Sequence, residues 1–131
     1  MLVFVYGTLK KGFRLSDVLK TSEYMGEGTI NARMYDYGAF PACIADPDRK
    51  VHGEVYNVTP EVKQELDMIE GVPRLYHLER VNVKMKGDDK KEVEALVYFM
   101  WPYQIKGYDE VLSGIWENES RKWHYYKEVI Q

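Results

Sequence analysis

Residues 1–12 have the sequence MLVFVYGTLKKG, and this stretch indicates how the fold begins. The apolar run from Leu2 to Tyr6 predicts a strand covered on both faces, because a strand with one wet face alternates apolar and polar residues. The run stops at Gly7, where the missing Cβ lets backbone N–H groups approach a ligand. Consecutive N–H groups at such a turn form a small anion-binding concavity. Taken alone, this stretch is better explained by an ordinary tight turn between a strand and a helix.

Length and composition limit the class of protein. The chain has 131 residues, 45% of them hydrophobic, which predicts a single domain over residues 1–131 with its own core. The net charge of −3, with both signs interspersed, argues against a nucleic-acid partner. No apolar run approaches the ~20 residues that span a bilayer, and no secretory leader is evident, so we expect a cytoplasmic protein without a membrane partner. Nothing in the sequence decides between a monomer and a dimer.

The hydrophobic pattern predicts an α+β fold, because strands and helices do not alternate strictly. The segment YGAFPACIADPDRK (37–50) is rich in Gly, Pro and Asp and is predicted to be loop with at most one short extended piece. Its cysteine, Cys43, is expected to be buried and unreactive. About six strands with few helices favour a small closed or nearly closed barrel. The predicted elements are short helices near 14–20 and 108–113, strands over 29–37 and 50–58, and a hairpin of 80–85 with 92–100.

The segment PEVKQELDMIEGVP (60–73) predicts a helix with well-defined ends. Thr59 is a favourable N-cap, and Pro60 suits the first helical position. The helix is expected to run to Ile69 or Glu70, with Gly71 as its C-terminal stop.

Glu70 breaks the amphipathic pattern of this helix. The apolar residues at helical spacing are Val62, Leu66 and Ile69. Glu70 follows Leu66 by four residues, so its carboxylate lies on or beside the inward face. Burial, the helix C-terminus and the neighbouring Glu65 and Asp67 would each favour the neutral acid and raise its pKa, which suits a general base near neutral pH. The alternative is a frayed helix end with Glu70 in water.

Three segments of the chain resemble the gamma-glutamylcyclotransferase-like (AIG2-like) family, which includes gamma-glutamylamine cyclotransferases. They are VYGTLKKG, GAFPACI and DMIEGVPRLYHLERV, and the resemblance covers residues 2–116. It implies a small mixed β-barrel with flanking helices. One departure concerns the substrate: many amine-specific members carry an Asn-His pair where this chain has Leu15 and Ser16.

The resemblance also implies roles for individual residues. The loop of Tyr6, Gly7, Thr8 and Leu9 would bind the gamma-glutamyl group, largely through its backbone. Glu70 would be the catalytic acid/base, and Tyr76 would lie near the cavity. The implied reaction is attack of the substrate's α-amine on its own γ-glutamyl carbonyl, which releases 5-oxoproline and a free amine.

Two other functions remain open from the sequence. One is a non-catalytic module that binds a small carboxylate-bearing ligand in the same cavity, and the other is an enzyme that releases gamma-glutamyl groups from larger amines or peptides. The partner in each case is a small molecule or a peptide. No cofactor is required for the cyclisation, and no metal site is expected, because His52, His77 and His124 lack metal-ligand spacing.

Overall fold

The computed structural model of the chain describes residues 1–13, 16–88 and 90–117. These residues form six strands, one α-helix and two short 3-10 helices. The strands are β1 (Leu2–Val5), β2 (Glu23–Asp36), β3 (Pro41–Asn57), β4 (His77–Met85), β5 (Glu92–Phe99) and β6 (Asp109–Glu110). The α-helix, α1, is Pro60–Ile69, and the 3-10 helices are Ser16–Leu19 and Pro102–Gln104.

Five of the strands close into a barrel. Their order is β3-β1-β5-β4-β2, and β2 pairs with β3 to complete the ring. β1 is parallel to β5, whereas the other neighbouring pairs are antiparallel. β6 extends the sheet by pairing with β2 outside the ring. The predicted α+β fold with a small mixed β-barrel is therefore confirmed.

The central position of β1 explains its uniformly apolar sequence. Phe4 is fully buried in the barrel interior, together with residues from the other four barrel strands. Val3 and Val5 point the other way and are buried in a second apolar layer that includes Leu66 of α1. β1 therefore has no solvent-facing side, as its sequence predicts.

The ends of α1 form as the sequence predicts. The Thr59 Oγ1 accepts a hydrogen bond from the backbone N–H of Val62 at 3.2 Å, and Pro60 is the first helical residue. Gly71 follows the helix in the left-handed region with a φ of +64°, where glycine has no Cβ penalty. Within the described ranges, no helix is both long and apolar enough to cross a membrane.

The inward face of α1 is narrower than its spacing predicts. Leu66 is fully buried and Val62 is half-buried, but Ile69 is 38% exposed. The helix packs on the barrel through Leu66, whereas Ile69 lies at the cavity and stays partly exposed. The prediction was therefore wrong for Ile69 as a core residue.

The segment predicted as loop between residues 37 and 50 is mostly strand. β3 begins at Pro41, and Asp36↔Pro41 through Ala32↔Ala45 pair in continuous register. The next pair is Asn31↔Lys50, so residues 46–49 protrude from the ladder. The long pairing with β2 outweighs the turn-forming composition of this segment. A turn forms only in the protruding part, where the Asp46 carboxylate accepts a hydrogen bond from the N–H of Asp48 at 2.8 Å.

Other predicted elements differ in type or length. The helix expected near 108–113 is wrong, because residues 109–110 pair with β2 and a turn follows. The helix expected near 14–20 is a single 3-10 turn, Ser16–Leu19, and residues 14 and 15 lie outside the described part of the chain. The hairpin of β4 with β5 is confirmed, although β4 begins earlier than expected, at His77.

Candidate active site

The loop that follows β1 and the C-terminal end of α1 line one cavity. Its volume is about 220 Å³. This is smaller than the roughly 300–1,000 Å³ typical of drug-sized ligands, and it suits a group the size of an amino acid. The lining residues are Phe4, Val5, Tyr6, Gly7, Thr8, Leu9, Phe40, Pro41, Ile69, Glu70, Leu75, Tyr76 and Tyr98.

The loop of Tyr6, Gly7, Thr8 and Leu9 forms one wall of this cavity. All four residues are buried, and the turn is closed by a hydrogen bond from the Lys10 N–H to the Gly7 carbonyl at 3.1 Å. Within the described residues, the backbone N–H groups of positions 7, 8 and 9 donate no hydrogen bond to the protein. Buried N–H groups without an acceptor are rare in folded proteins. These groups are therefore available to a ligand in the cavity.

Position 7 requires glycine because Pro41 leaves no room there for a side chain. A Cβ built there would lie 2.6 Å from the Pro41 Cγ, far inside van der Waals contact. Phe40 and Pro41 line the opposite wall of the cavity. The loop and the first residue of β3 therefore pack directly against each other at the cavity.

Glu70 forms the wall at the end of α1. Its backbone N–H bonds to the Leu66 carbonyl at 2.9 Å, so the residue is held at the last helical turn. Its side chain lines the cavity, and no hydrogen bond or ion pair joins its carboxylate to another residue of the described part. Burial raises the pKa of Glu70 from the usual 4.5 to about 7. Burial alone accounts for this shift, so the helix C-terminus and the neighbouring Glu65 and Asp67, which the sequence also suggested, are not needed to explain it.

Three tyrosines complete the polar lining, and each uses its hydroxyl hydrogen within the protein. The Tyr6 hydroxyl donates to the carbonyl of Tyr98, and the Tyr76 hydroxyl donates to the carbonyl of Pro41, both at 2.6 Å. The Tyr98 hydroxyl donates to the Asp67 Oδ1 at 2.6 Å. Burial raises the pKa of all three phenols, so they stay protonated at neutral pH. What they offer a ligand is therefore oxygen lone pairs, which accept hydrogen bonds.

The cavity thus has two chemically different sides. The loop offers backbone donors, which suit a carboxylate or a developing oxyanion. Glu70 and the phenol oxygens offer acceptors, which suit an ammonium group. A small zwitterion fits this arrangement better than a simple anion or cation.

All the sequence-predicted site residues meet at this one cavity. They are Tyr6, Gly7, Thr8, Leu9, Glu70 and Tyr76. Tyr76 bonds to the Pro41 carbonyl and not to Glu70. The sequence did not indicate Tyr98 or Asp67; the alternation of β5 places Tyr98 on the outer face but does not show what it contacts.

Outside the cavity, the described residues include one buried thiol and no cluster of metal-ligating side chains. Cys43 is fully buried, as predicted, and burial raises the pKa of its thiol well above the usual value. No group of three or more His, Cys, Asp or Glu side chains that could hold a metal ion occurs among the described residues. His124 lies outside them.

Comparisons with known proteins place the chain in a family. The family model described as "Gamma-glutamyl cyclotransferase, AIG2-like" matches residues 3–118. A Methanocaldococcus jannaschii protein, provisionally named a gamma-glutamylcyclotransferase, is 34% identical over 100 residues, covering 74% of this chain and 82% of that protein. Gamma-glutamylaminecyclotransferase A of Danio rerio is 36% identical over 110 residues, covering 73% of this chain and 66% of that protein.

Solved structures show the same fold. An uncharacterized protein from Pyrococcus horikoshii superposes with a TM-score of 0.68 at 27% identity, covering 96% of this chain and 97% of that one. An AIG2-like protein from mouse superposes with a TM-score of 0.74 at 22% identity, covering 90% and 88%. The chain belongs to the gamma-glutamyl cyclotransferase, AIG2-like family.

Proposed function

We propose that this protein cyclises a small gamma-glutamyl compound to 5-oxoproline and a free amine. The α-amine of the gamma-glutamyl group attacks its own side-chain carbonyl carbon, forming a C–N bond and a five-membered ring. The bond from that carbon to the leaving nitrogen then breaks. The α-nitrogen loses two protons, one before the attack and one as the ring nitrogen becomes the lactam N–H, and the leaving nitrogen gains two and departs as an ammonium, so the reaction balances without another reactant.

The observation that carries the proposal is a partly buried Glu70, without a bonding partner among the described residues, in the same cavity as a loop of free N–H groups. An α-ammonium cannot attack while it is protonated, so a base must accept its proton. With a pKa of about 7, Glu70 is suited to accept that proton and to donate it to the leaving nitrogen. Such proton transfer typically contributes ~100- to 10,000-fold in rate.

Substrate folding is the other large contribution. The α-amine and the carbonyl are separated by a flexible chain, and holding them together can supply up to roughly 7–11 kcal/mol. The acceptors at Glu70 and the three phenols would hold the ammonium end. The N–H groups at positions 7–9 would bind either the α-carboxylate or the oxyanion of the tetrahedral intermediate.

Glu70 also separates an enzyme from a simple binding module. A module for a small carboxylate gains nothing from a carboxylate in its cavity, because two like charges repel there. A carboxylic acid whose pKa lies near 7 and that has no bonding partner is instead typical of proton-transfer sites.

The test is an assay of 5-oxoproline by mass spectrometry. Wild-type protein, Glu70→Gln and the control Glu65→Gln, which changes an exposed glutamate of the same helix, would be incubated with gamma-glutamyl amines, gamma-glutamyl dipeptides and glutathione. We expect release by wild type and Glu65→Gln, and at least a ~100-fold loss in Glu70→Gln. Equal release by all three proteins would remove Glu70 from its role. Binding of 5-oxoproline without release from any substrate would favour the binding module.

A further inference from the structure

Tyr98 connects the two walls of the cavity. Its hydroxyl donates to the Asp67 Oδ1 at 2.6 Å, on the helix that carries Glu70. Its own carbonyl accepts from the Tyr6 hydroxyl at 2.6 Å, at the start of the loop. Tyr98 is only 3% exposed, and its bond with Tyr6 is buried, whereas its bond with Asp67 is partly buried.

Asp67 holds the last turn of α1 through three contacts. Besides Tyr98, its Oδ2 accepts from the Lys63 Nζ at 2.6 Å within the helix. Its backbone carbonyl accepts from the N–H of Val72, beyond the helix, at 3.0 Å. Of its two side-chain bonds, the one to Tyr98 alone joins the helix to the barrel.

Glu70 needs such an anchor. Its carboxylate is partly buried and has no bonding partner within the described residues, so solvation favours its escape into water. It stands at a helix C-terminus, where helices fray most readily. Its neighbour Ile69 is 38% exposed and contributes little packing.

We infer that Tyr98 and Asp67 are positioning residues: their hydrogen bond holds the end of α1 against the barrel, so that the Glu70 carboxylate stays in the cavity opposite the Tyr6–Leu9 loop. This inference rests on the role proposed for Glu70. Neither residue needs to exchange a proton with the substrate.

The experiment measures the position of Glu70 in two independent ways. Its titration is followed by NMR of a ¹³C label at the carboxyl carbon, and kcat and KM are measured with a substrate that wild type cyclises. In Tyr98→Phe we expect the pKa of Glu70 to fall from about 7 toward 4.5, because the released carboxylate reaches water. We expect kcat to fall roughly tenfold to a hundredfold, since small misplacements have effects of this size.

Asp67 variants separate position from charge. The phenols of Tyr6, Tyr76 and Tyr98 interact electrostatically with Glu70 and stay neutral throughout the titration, and the charge of Asp67 lies three residues before Glu70 in the chain. Asp67→Ala should shift the titration as Tyr98→Phe does. Asp67→Asn keeps an oxygen for the Tyr98 hydroxyl but removes the charge, so it should stay near wild type. A pKa in Asp67→Asn as low as in Asp67→Ala would show a charge effect and overturn the inference.

Lys63→Met is the matched control. It removes the other partner of the same carboxylate, lies outside the cavity and leaves the Tyr98 bond intact. It should leave both the Glu70 titration and kcat unchanged. The double variant Tyr98→Phe/Asp67→Ala should match either single variant, because both singles break the same bond.

The outcomes also separate this inference from the proposed function. An unchanged Glu70 titration in folded Tyr98→Phe would overturn the positioning role, whatever the activity. A shifted titration in a protein that cyclises no substrate would support positioning while the proposed function fails. If Asp67→Ala does not fold, Tyr98→Phe still decides the question, because it preserves the ring that packs beneath the helix.

Discussion

Glu70 has a property that the local sequence only suggests, a carboxyl pKa raised above its usual value. Its pKa is raised because the side chain leaves water without gaining a partner. The acid therefore binds its proton more tightly in the folded protein than in the unfolded chain. That difference links the candidate site to the pH dependence of folding.

We predict that Glu70 makes folding less favourable as pH rises. The folded pKa lies above the unfolded value, so the stability from this group is fully present below about pH 4.5 and is lost as pH rises through about 7. A shift of this size corresponds to roughly 3 kcal/mol at ~1.4 kcal/mol per unit. Glu70→Gln should therefore be more stable than wild type at pH 8 and about equal to it at pH 4.

Urea unfolding at both pH values measures this difference. Glu65→Gln, on the exposed side of α1, should show no such pH dependence. The same difference between wild type and Glu70→Gln at pH 4 and pH 8 would contradict the burial of the carboxylate.

Gly7 makes a second residue-scale prediction, on ligand binding. Gly7→Ala places a Cβ against the Pro41 ring and must push the loop or β3 apart. We expect at least a tenfold weaker affinity for 5-oxoproline by calorimetry, because each ~1.4 kcal/mol lost is tenfold in Kd. Gly12→Ala is a useful comparison, because no atom lies within 4 Å of a Cβ there, although its φ of +82° makes it mildly strained. Unchanged affinity in Gly7→Ala would mean that the ligand does not use this loop.

At the scale of elements, helices with explicit end signals are predicted well and strands with mixed signals are not. α1 begins and ends where Thr59, Pro60 and Gly71 indicate, because caps act on backbone groups only a few residues away. β3 begins at Pro41, inside a segment that resembles a loop, because its partner β2 supplies the hydrogen bonds. The composition of residues 37–50 gives no information about pairing with β2, which is a different segment of the chain.

The N-cap of α1 can be tested at this scale. Thr59→Ala removes the acceptor for the Val62 N–H and should cost about 1 kcal/mol in the free energy of unfolding by urea. Thr59→Ser keeps the hydroxyl and should recover most of that loss. Neither change should alter kcat, since Thr59 lies at the far end of the helix from Glu70. A loss of kcat in Thr59→Ala without a loss of stability would show that the N-cap affects the site at the other end of the helix, contrary to this prediction.

At the scale of the whole molecule, closure of the barrel determines what water can reach. β2 pairs with both β3 and β4, which closes the ring around an interior that includes Phe4 and Cys43. Cys43 is the single cysteine of the chain and has no exposed surface. It therefore reports on opening of the entire barrel.

We predict that the Cys43 thiol reacts with a maleimide only as fast as the barrel opens. The rate should rise with urea in parallel with global unfolding. A control protein, Cys43→Ser with Ala45→Cys, carries its thiol at an exposed position of the same strand and should react at once. Rapid labelling of Cys43 in native buffer would show that the barrel opens locally.

The sequence alone determined the features whose causes are local. The apolar run of β1, the caps of α1, the β4–β5 hairpin and the unusual place of Glu70 can each be inferred from a few neighbouring residues. The family resemblance added the association of the Tyr6–Leu9 loop with Glu70, which lie about 60 residues apart in the chain. The barrel and the site residues could therefore be predicted from the sequence together with this resemblance.

The tertiary structure decided what depends on distant pairing. It made a 17-residue strand of β3, replaced the expected helix near 108–113 with β6, and brought Tyr98 to Asp67. It also left the Glu70 carboxylate partly buried, with no partner among the described residues, and this burial raises its pKa. Hydrogen-bond partners and solvent exclusion come from chain segments far apart in sequence, so no local pattern specifies them.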